Sequence, residues 1–276
     1  MAVRRTARKR KSVPAKRPVP TAVQHPPLST VTIIVPFYRQ PLMLAEQLKS
    51  WEGALDGYRF IVVDDGSPER ASDVIERDAS PELRAKLELY RITQDIPWNR
   101  GGARNLGAER ATTQWIVHVD IDHVLTSDSM APLLAFQPDP ERWYRFPRWR
   151  VGAADATRRK DRIDPGVKFG RIHEHVDSYL ITRDLYWKIG GYDERYSGCL
   201  GGGTPFLRQL EANAPVELLP DDIRLHVYTR DAVKDASDWA LSRDPAEYSR
   251  RRREIERTRS VTKRPLMLNF PWERVL

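Results

Sequence analysis

A single cysteine, Cys199, serves the whole chain of 276 residues. It excludes an internal disulfide and gives no thiolate metal cluster, so a reducing compartment fits. Long apolar runs are missing as well, and no stretch approaches the roughly 20 residues of a membrane-spanning helix. The basic N-terminus has no apolar segment behind it, which excludes a secretory signal. Together these absences predict a cytoplasmic protein, in the host cytoplasm if the chain is viral. Acids are absent from the first 18 positions, which hold Arg4, Arg5, Arg8, Lys9, Arg10, Lys11, Lys16 and Arg17. The net charge is +8, so these eight cations account for all of it, and 8 − 8 leaves residues 19–276 at zero. Pro14, Pro18, Pro20, Pro26 and Pro27 keep this stretch from becoming a helix, which predicts a disordered basic tail over 1–29. Such a tail is either a solubilising leader or an electrostatic arm for nucleic acid or another polyanion.

What is present is an alternation of strands and helices. Val31-Thr-Ile-Ile-Val-Pro-Phe37 reads as a first strand, and Pro41 opens a helix carrying Leu44, Leu48 and Trp51 at helical spacing. Residues 59–63 form a second strand and 87–93 a third, with helical stretches over 69–78 and 81–86 between them. Gly101-Gly102 leads into a helix through about Ala111. A strand ending at Asp120 follows, and Ser127 is placed to cap a helix carrying Met130, Leu133 and Leu134. Residues 142–151 and 178–182 look like strands, with a polar loop over 152–170. This order predicts one α/β domain with a mostly parallel central sheet and flanking helices.

Two apolar runs end in carboxylates: Phe60-Ile-Val-Val-Asp-Asp-Gly-Ser67 and Trp115-Ile-Val-His-Val-Asp-Ile-Asp-His123. Short Val- and Ile-rich runs read as buried parallel strands. Their polar ends then meet at the carboxyl edge of the sheet, where open α/β folds bind ligands. Carboxylates gathered there suit a hard divalent cation and the phosphates of a nucleoside diphosphate.

Four blocks, in order, resemble the GT-A fold glycosyltransferases of the family 2 type: Ile34-Val-Pro-Phe-Tyr38, Val63-Asp-Asp-Gly-Ser67, Asn99-Arg-Gly-Gly-Ala-Arg-Asn-Leu-Gly107, and the Asp-x-Asp of Asp120 and Asp122. Ile189-Gly-Gly-Tyr-Asp-Glu194 resembles the family's acceptor-side segment. The resemblance runs from about residue 30 to about residue 230. It implies a transferase domain over 30–232, followed by a helical extension over 233–276. It also implies a nucleotide-diphosphate sugar as donor, with a UDP-sugar expected, and Mn²⁺ or Mg²⁺ as the ion.

The resemblance assigns roles residue by residue. Asp122 binds the metal directly, and Asp120 reaches the ribose and helps hold the ion. Asp65 accepts a hydrogen bond from the base, while Pro36, Phe37 and Tyr38 wall its pocket. Gly101 allows close approach of the backbone, and Arg104 contacts base or phosphate. The late His226, in Arg224-Leu-His-Val-Tyr228, resembles a third metal ligand, and neutral imidazole suits Mn²⁺. His123 could also reach the ion, and His118 reads as a half-buried support.

One segment departs from the family. Gly201-Gly-Gly-Thr-Pro-Phe206 carries Thr204 and Pro205 where inverting members place an acidic pair. Thr204 reads as a helix N-cap and Pro205 as a first-turn residue. A threonine is no base at neutral pH, so Glu174, His175 and Asp222 stand as substitute candidates. Three functions follow: a metal-dependent transferase acting on a hydroxyl, with hydroxymethylated DNA bases as the alternative acceptor; an inactive nucleotide-sugar-binding module; or a nucleotidyltransferase. The last lacks a basic, Gly-rich triphosphate loop after the first strand.

Overall fold

The structure is a computed structural model that describes residues 25–96, 98–151, 170–197, 202–228, 245–258 and 268–276. The expected tail over 1–29 therefore lies outside the described residues as far as position 24, and the expected loop over 152–170 as far as 169. Residues 25–29 are tied to the body. Leu28 is buried, and its amide donates to the Phe136 carbonyl.

The apolar runs become the middle of the main sheet. Strands β1 (Val31–Phe37), β2 (Tyr58–Asp64), β3 (Leu87–Ile92) and β4 (Trp115–His118) are parallel, in the order β4-β1-β2-β3. Both faces of this sheet are covered. Ile33, Val35, Phe60 and Val62 pack on the side of helices α1 (Pro41–Trp51) and α2 (Ala71–Asp78). Ile34, Ile61 and Val63 pack on the side of helix α4 (Arg100–Arg110). Burial on both faces explains why these strands read as unbroken apolar runs rather than as an alternation. Between α2 and β3 lies the short helix α3 (Pro81–Arg84), which ends two residues before the expected 86.

Beyond β4 the sheet turns antiparallel through β9 (Tyr179–Thr182), then reaches β6 (Trp143–Arg145) and β10 (Val216–Leu218). At the other edge β12 (Trp272–Arg274) pairs antiparallel with β3. The stretch 233–276, expected as a helical extension, thus holds both helix α8 (Pro245–Thr258) and a strand of the main sheet. A second sheet, β5-β11-β7-β8, joins His123–Leu125, Leu225–Tyr228, Arg148–Val151 and Gly170–Ile172.

The expected single strand over 142–151 is in fact two, because Phe146-Pro147 breaks it and sends β6 and β7 to different sheets. Pro147 has no N–H for a ladder, while its carbonyl still accepts from Leu225. Helix α5 (Ser127–Ala135) has its cap at Thr126, one residue before the expected Ser127. Helices α6 (Arg183–Lys188) and α7 (Gly203–Asn213) complete the order. No helix among the described residues is long and apolar enough to cross a membrane.

Candidate active site

The carboxyl ends of β1, β2 and β4 bring the first site residues together. Phe37 stands opposite Asp64, and Ile34 opposite His118. Past the strands the ladder continues, with Asp65 N–H on the Phe37 carbonyl and Val119 N–H on the Ile34 carbonyl, at 2.9 and 3.2 Å. Tyr38, Asp65 and Asp120 therefore leave one sheet edge side by side.

Asp64 holds the loop after β2. It accepts from Ser67 N–H at 2.8 Å and Ala71 N–H at 3.2 Å, and pairs with Arg91 at 2.6 Å. Asp65 differs. Burial pushes its carboxyl well above the usual range, opposed by hydrogen bonds from Asn99. Its Oδ1 is buried with no hydrogen-bond partner. An orphaned acceptor at this edge suits a base N–H. Pro36 and Phe37 are buried beside it. Tyr38 is half-buried, and its hydroxyl donates weakly to Asp95.

Asp120 is the hub. Among the described residues, Asp120, His123 and His175 present ligand atoms within 4.8 Å of one another. Arg104, completely buried, donates to Asp120 Oδ1. Arg100 reaches Asp120 Oδ2 at 3.7 Å and Asp177 Oδ2 at 2.8 Å. Burial alone would raise the Asp120 carboxyl, but the charges of Arg104 and Arg100 outweigh it and hold the group well below the usual carboxylate range. Burial likewise penalises the Arg104 charge, and Asp120 more than compensates, so this guanidinium is pushed up. Arg104 was expected at the base or phosphate. The structure instead spends it inside the protein on Asp120, with the Tyr192 ring 5.5 Å away.

His123 is buried, and burial lowers its pKa to about 4 despite Asp122 and Asp120 nearby. Its Nε2 faces Arg148 Nη1 at 2.9 Å and its Nδ1 faces Ser178 Oγ at 2.6 Å. A guanidinium only donates, so Nε2 accepts and the ring is neutral. His175 Nδ1 lies 3.3 Å from Asp120 Oδ2 and accepts the Asp177 amide at 3.3 Å. Two lone-pair atoms so placed suit a cation between them, and the mixed N and O donors are acceptable to Mn²⁺ or Mg²⁺.

Other expected residues stand elsewhere. Asp122 is buried, but its carboxylate is not in the converging trio; its backbone carbonyl accepts from Tyr228 N–H at 3.2 Å. His226, on β11, is also outside the trio. Burial lowers its pKa, and the charged neighbours acting on it are Arg224 and Asp128. Glu174 is half-buried, and its charge acts on Arg148. Asp222 is exposed on the turn before β11, next to the Asp221–Arg171 pair, and does not join the cluster. Thr204 is not the cap of α7. The cap is Gly202, and Thr204 is exposed in the first turn because the helix starts two residues early, at Gly203. His118 is fully buried rather than half-buried, with rings of Tyr179 and Tyr186 about 5 Å away and neither ring nitrogen partnered.

Several contributors carried no motif signal. Gln47, buried in α1, donates from Nε2 to the carbonyls of Ile121 and His123 at 3.1 and 2.9 Å. It thereby clamps the turn that carries Asp120 and Asp122. Asp177 accepts from Tyr192 Oη at 2.8 Å and sits against Gly203, where a Cβ would fall 2.6 Å from Oδ1. Trp98, Arg100, Gly101, Tyr192, Asp193 and Gly203 border a small recess, open to solvent. Gly101 thus lines the recess, with its Cα against Tyr192, while Gly102 serves packing against Asn99 and Phe270. Helical periodicity in α1 could have marked Gln47 as a polar residue on an apolar face. Nothing local marks Asp177.

Comparison with known proteins agrees with this geometry. The model of glycosyl transferase family 2 matches residues 32–198. A curated relative from Haemophilus influenzae, described as an uncharacterized glycosyltransferase, is 28% identical over 109 residues, 38% of this chain and 41% of that one. The chain thus aligns with less than half the length of that relative. Among the solved structures that share the fold are three of particular use. Mannosyltransferase PcManGT from Pyrobaculum calidifontis, in complex with GDP-Man and Mn²⁺, superposes with a TM-score of 0.55 at 18% identity, covering 91% of this chain and 70% of that one. GalNAc-T7 with UDP, GalNAc and Mn²⁺ gives 0.54 at 14%, covering 74% and 45%. Residues 1–349 of S. aureus TarS give 0.53 at 16%, covering 83% and 73%.

Proposed function

The chain belongs to glycosyl transferase family 2, and on that premise we propose that it moves a sugar from a nucleotide-diphosphate donor to an acceptor hydroxyl with the help of a divalent ion. The observation that carries this reading is the buried, ionised Asp120 at the edge of β4, with ligand atoms of His123 and His175 within 4.8 Å. Asp120 and Asp122 would hold Mn²⁺ or Mg²⁺, with His175 next in reach and His226 as the later candidate. Bound there, the ion supplies Lewis-acid neutralisation of the leaving diphosphate. Asp65 accepts a base N–H, which a UDP-sugar provides, and Pro36, Phe37 and Tyr38 wall that pocket. Relatives in fold hold UDP or GDP-mannose together with Mn²⁺, which supports the donor class. The transferase domain is taken as residues 30–232, with a basic tail before it and the α8–β12 segment after it.

The first turn of α7 carries no acid of its own, so Glu174 is the base candidate that remains near the cluster, and His175 a second one where it does not hold the ion. Asp222, exposed on its turn, is the weakest of the three. The departure at Thr204-Pro205 also favours a second reading, a binding module without turnover. One assay separates the two: release of nucleoside diphosphate from a panel of nucleotide sugars, with Mn²⁺ and with EDTA. Mn²⁺-dependent release, lost in Asp120→Ala and Asp122→Ala, supports the transferase. Donor binding with no release supports the module. Release that persists in EDTA overturns the metal-dependent reading.

The acceptor reading rests on α8. Arg250, Arg253 and Arg257 are exposed on it at spacings of three and four residues, which places them on one face, where the exposed Glu254 offsets one of the three charges. Its Ile255 packs against Tyr196, beside the recess. The net positive charge of that face favours an anionic acceptor, such as hydroxymethylated bases in DNA, which must be flipped out to be modified. Duplex binding that weakens with salt, less steeply after Arg250→Ala and Arg253→Ala, is the expected result. Absence of salt-sensitive binding at low ionic strength removes this acceptor class.

A further inference from the structure

The recess beside the trio is lined by a residue of the third sequence block to which no role has been assigned. Arg100 opens α4, and its side chain is 28% exposed, whereas Arg104, one turn on, is 0% exposed. Arg100 spans two buried carboxylates, 2.8 Å from Asp177 and 3.7 Å from Asp120. Its guanidinium also lies 5.2 Å from the Trp98 ring centre. The carboxylates of Asp120, Asp122 and Asp177 and the guanidiniums of Arg100, Arg104 and Arg148 lie around the trio, with Glu174 and Arg150 also acting on Arg148. A divalent ion held there would add positive charge that a diphosphate matches.

The three guanidiniums are not equally able to meet that diphosphate. Arg104 is sealed inside the protein on Asp120. Arg148 is fixed by the His173 carbonyl at 2.7 Å and by His123 at 2.9 Å. Arg100 has one short contact, to Asp177, and one long contact, to Asp120. The Asp120 oxygen in that long contact, Oδ2, is also the one facing His175. With an ion held by Asp120, Arg100 would keep its short contact to Asp177 and would still border the recess. A phosphate oxygen is the partner that would satisfy both the ion and the guanidinium.

We propose that Arg100 is the side chain that binds the diphosphate of the donor, held in place by Asp177 and by the Tyr192 hydroxyl bonded to it. The assignment rests on the donor class proposed above. Calorimetric titration of the full chain in Mn²⁺, with UDP, GDP, ADP and CDP and with the matching monophosphates, tests it. Arg100→Gln should weaken the diphosphate that wild type binds by roughly 10- to 100-fold, while the matching monophosphate changes by less than about threefold. Arg100→Gln with Asp177→Asn replaces the ion pair by two neutral amides and should show the same selective loss if the single variant fails to fold. Arg100→Lys should fall between. Equal diphosphate affinity in wild type and both Gln variants overturns the role of Arg100 and leaves the donor class standing. A wild type that binds none of the diphosphates overturns both.

Discussion

Replacing Gln47 by Leu tests whether the turn carrying the two aspartates is held from outside. The Nε2 group has two hydrogens and meets the Ile121 and His123 carbonyls at 3.1 and 2.9 Å, with Asp120 O at 3.5 Å as a marginal third. Leu fills nearly the same volume, so packing changes little and the cost is mostly polar. Two buried carbonyls losing a donor cost about 1–2 kcal/mol each. The Gln47 Oε1 is itself buried without a partner, and its removal returns about 1 kcal/mol. The net loss is about 1–3 kcal/mol, which equilibrium urea unfolding at unchanged m-value resolves. Gln47→Glu sharpens the test: shape is kept, but acceptor oxygens face acceptor oxygens, so Glu should cost more than Leu. Both variants should also weaken Mn²⁺ activation, because the turn carries Asp120 and Asp122. A Glu variant as stable as wild type, or less damaging than Leu, would refute the clamp.

Three further outcomes follow from particular side chains. His118→Phe removes two unpartnered buried nitrogens between Tyr179 and Tyr186, so thermal unfolding should show stability unchanged or raised by about 1 kcal/mol; a clear loss would mean the ring has a partner. Thr204→Ala, exposed in the first turn of α7, should change stability by less than about 0.5 kcal/mol and leave turnover intact, and a large rate loss would give Thr204 a chemical role. Gly66→Ala should lower the unfolding midpoint, since φ is +72° and a Cβ would meet the Gln94 carbonyl at 2.9 Å, for a cost of about 1–3 kcal/mol; an unchanged midpoint would mean the loop after β2 relaxes freely.

The sequence by itself determined the strands β1, β2, β3 and β4 and the helices between them. Each of these strands is buried on both faces, so each writes itself as a short continuous apolar run, and its polar end marks the sheet edge. That is why Asp65, Asp120 and Asp122 were legible before any coordinates. The tertiary structure decided what those carboxylates touch. Arg104 reads equally well as a surface contact or a ligand contact until α4 is packed on the sheet, which buries it against Asp120. His175 and Asp177 lie more than fifty residues from Asp120, and only the antiparallel pairing of β9 with β4 brings their segment to the same edge. Gln47 meets the Asp-x-Asp turn because α1 crosses beneath it, and β12 returns from the chain end to pair with β3. Local patterns record which face of an element is buried. They hold no record of strand order, and here strand order chooses the partners of every charge in the site.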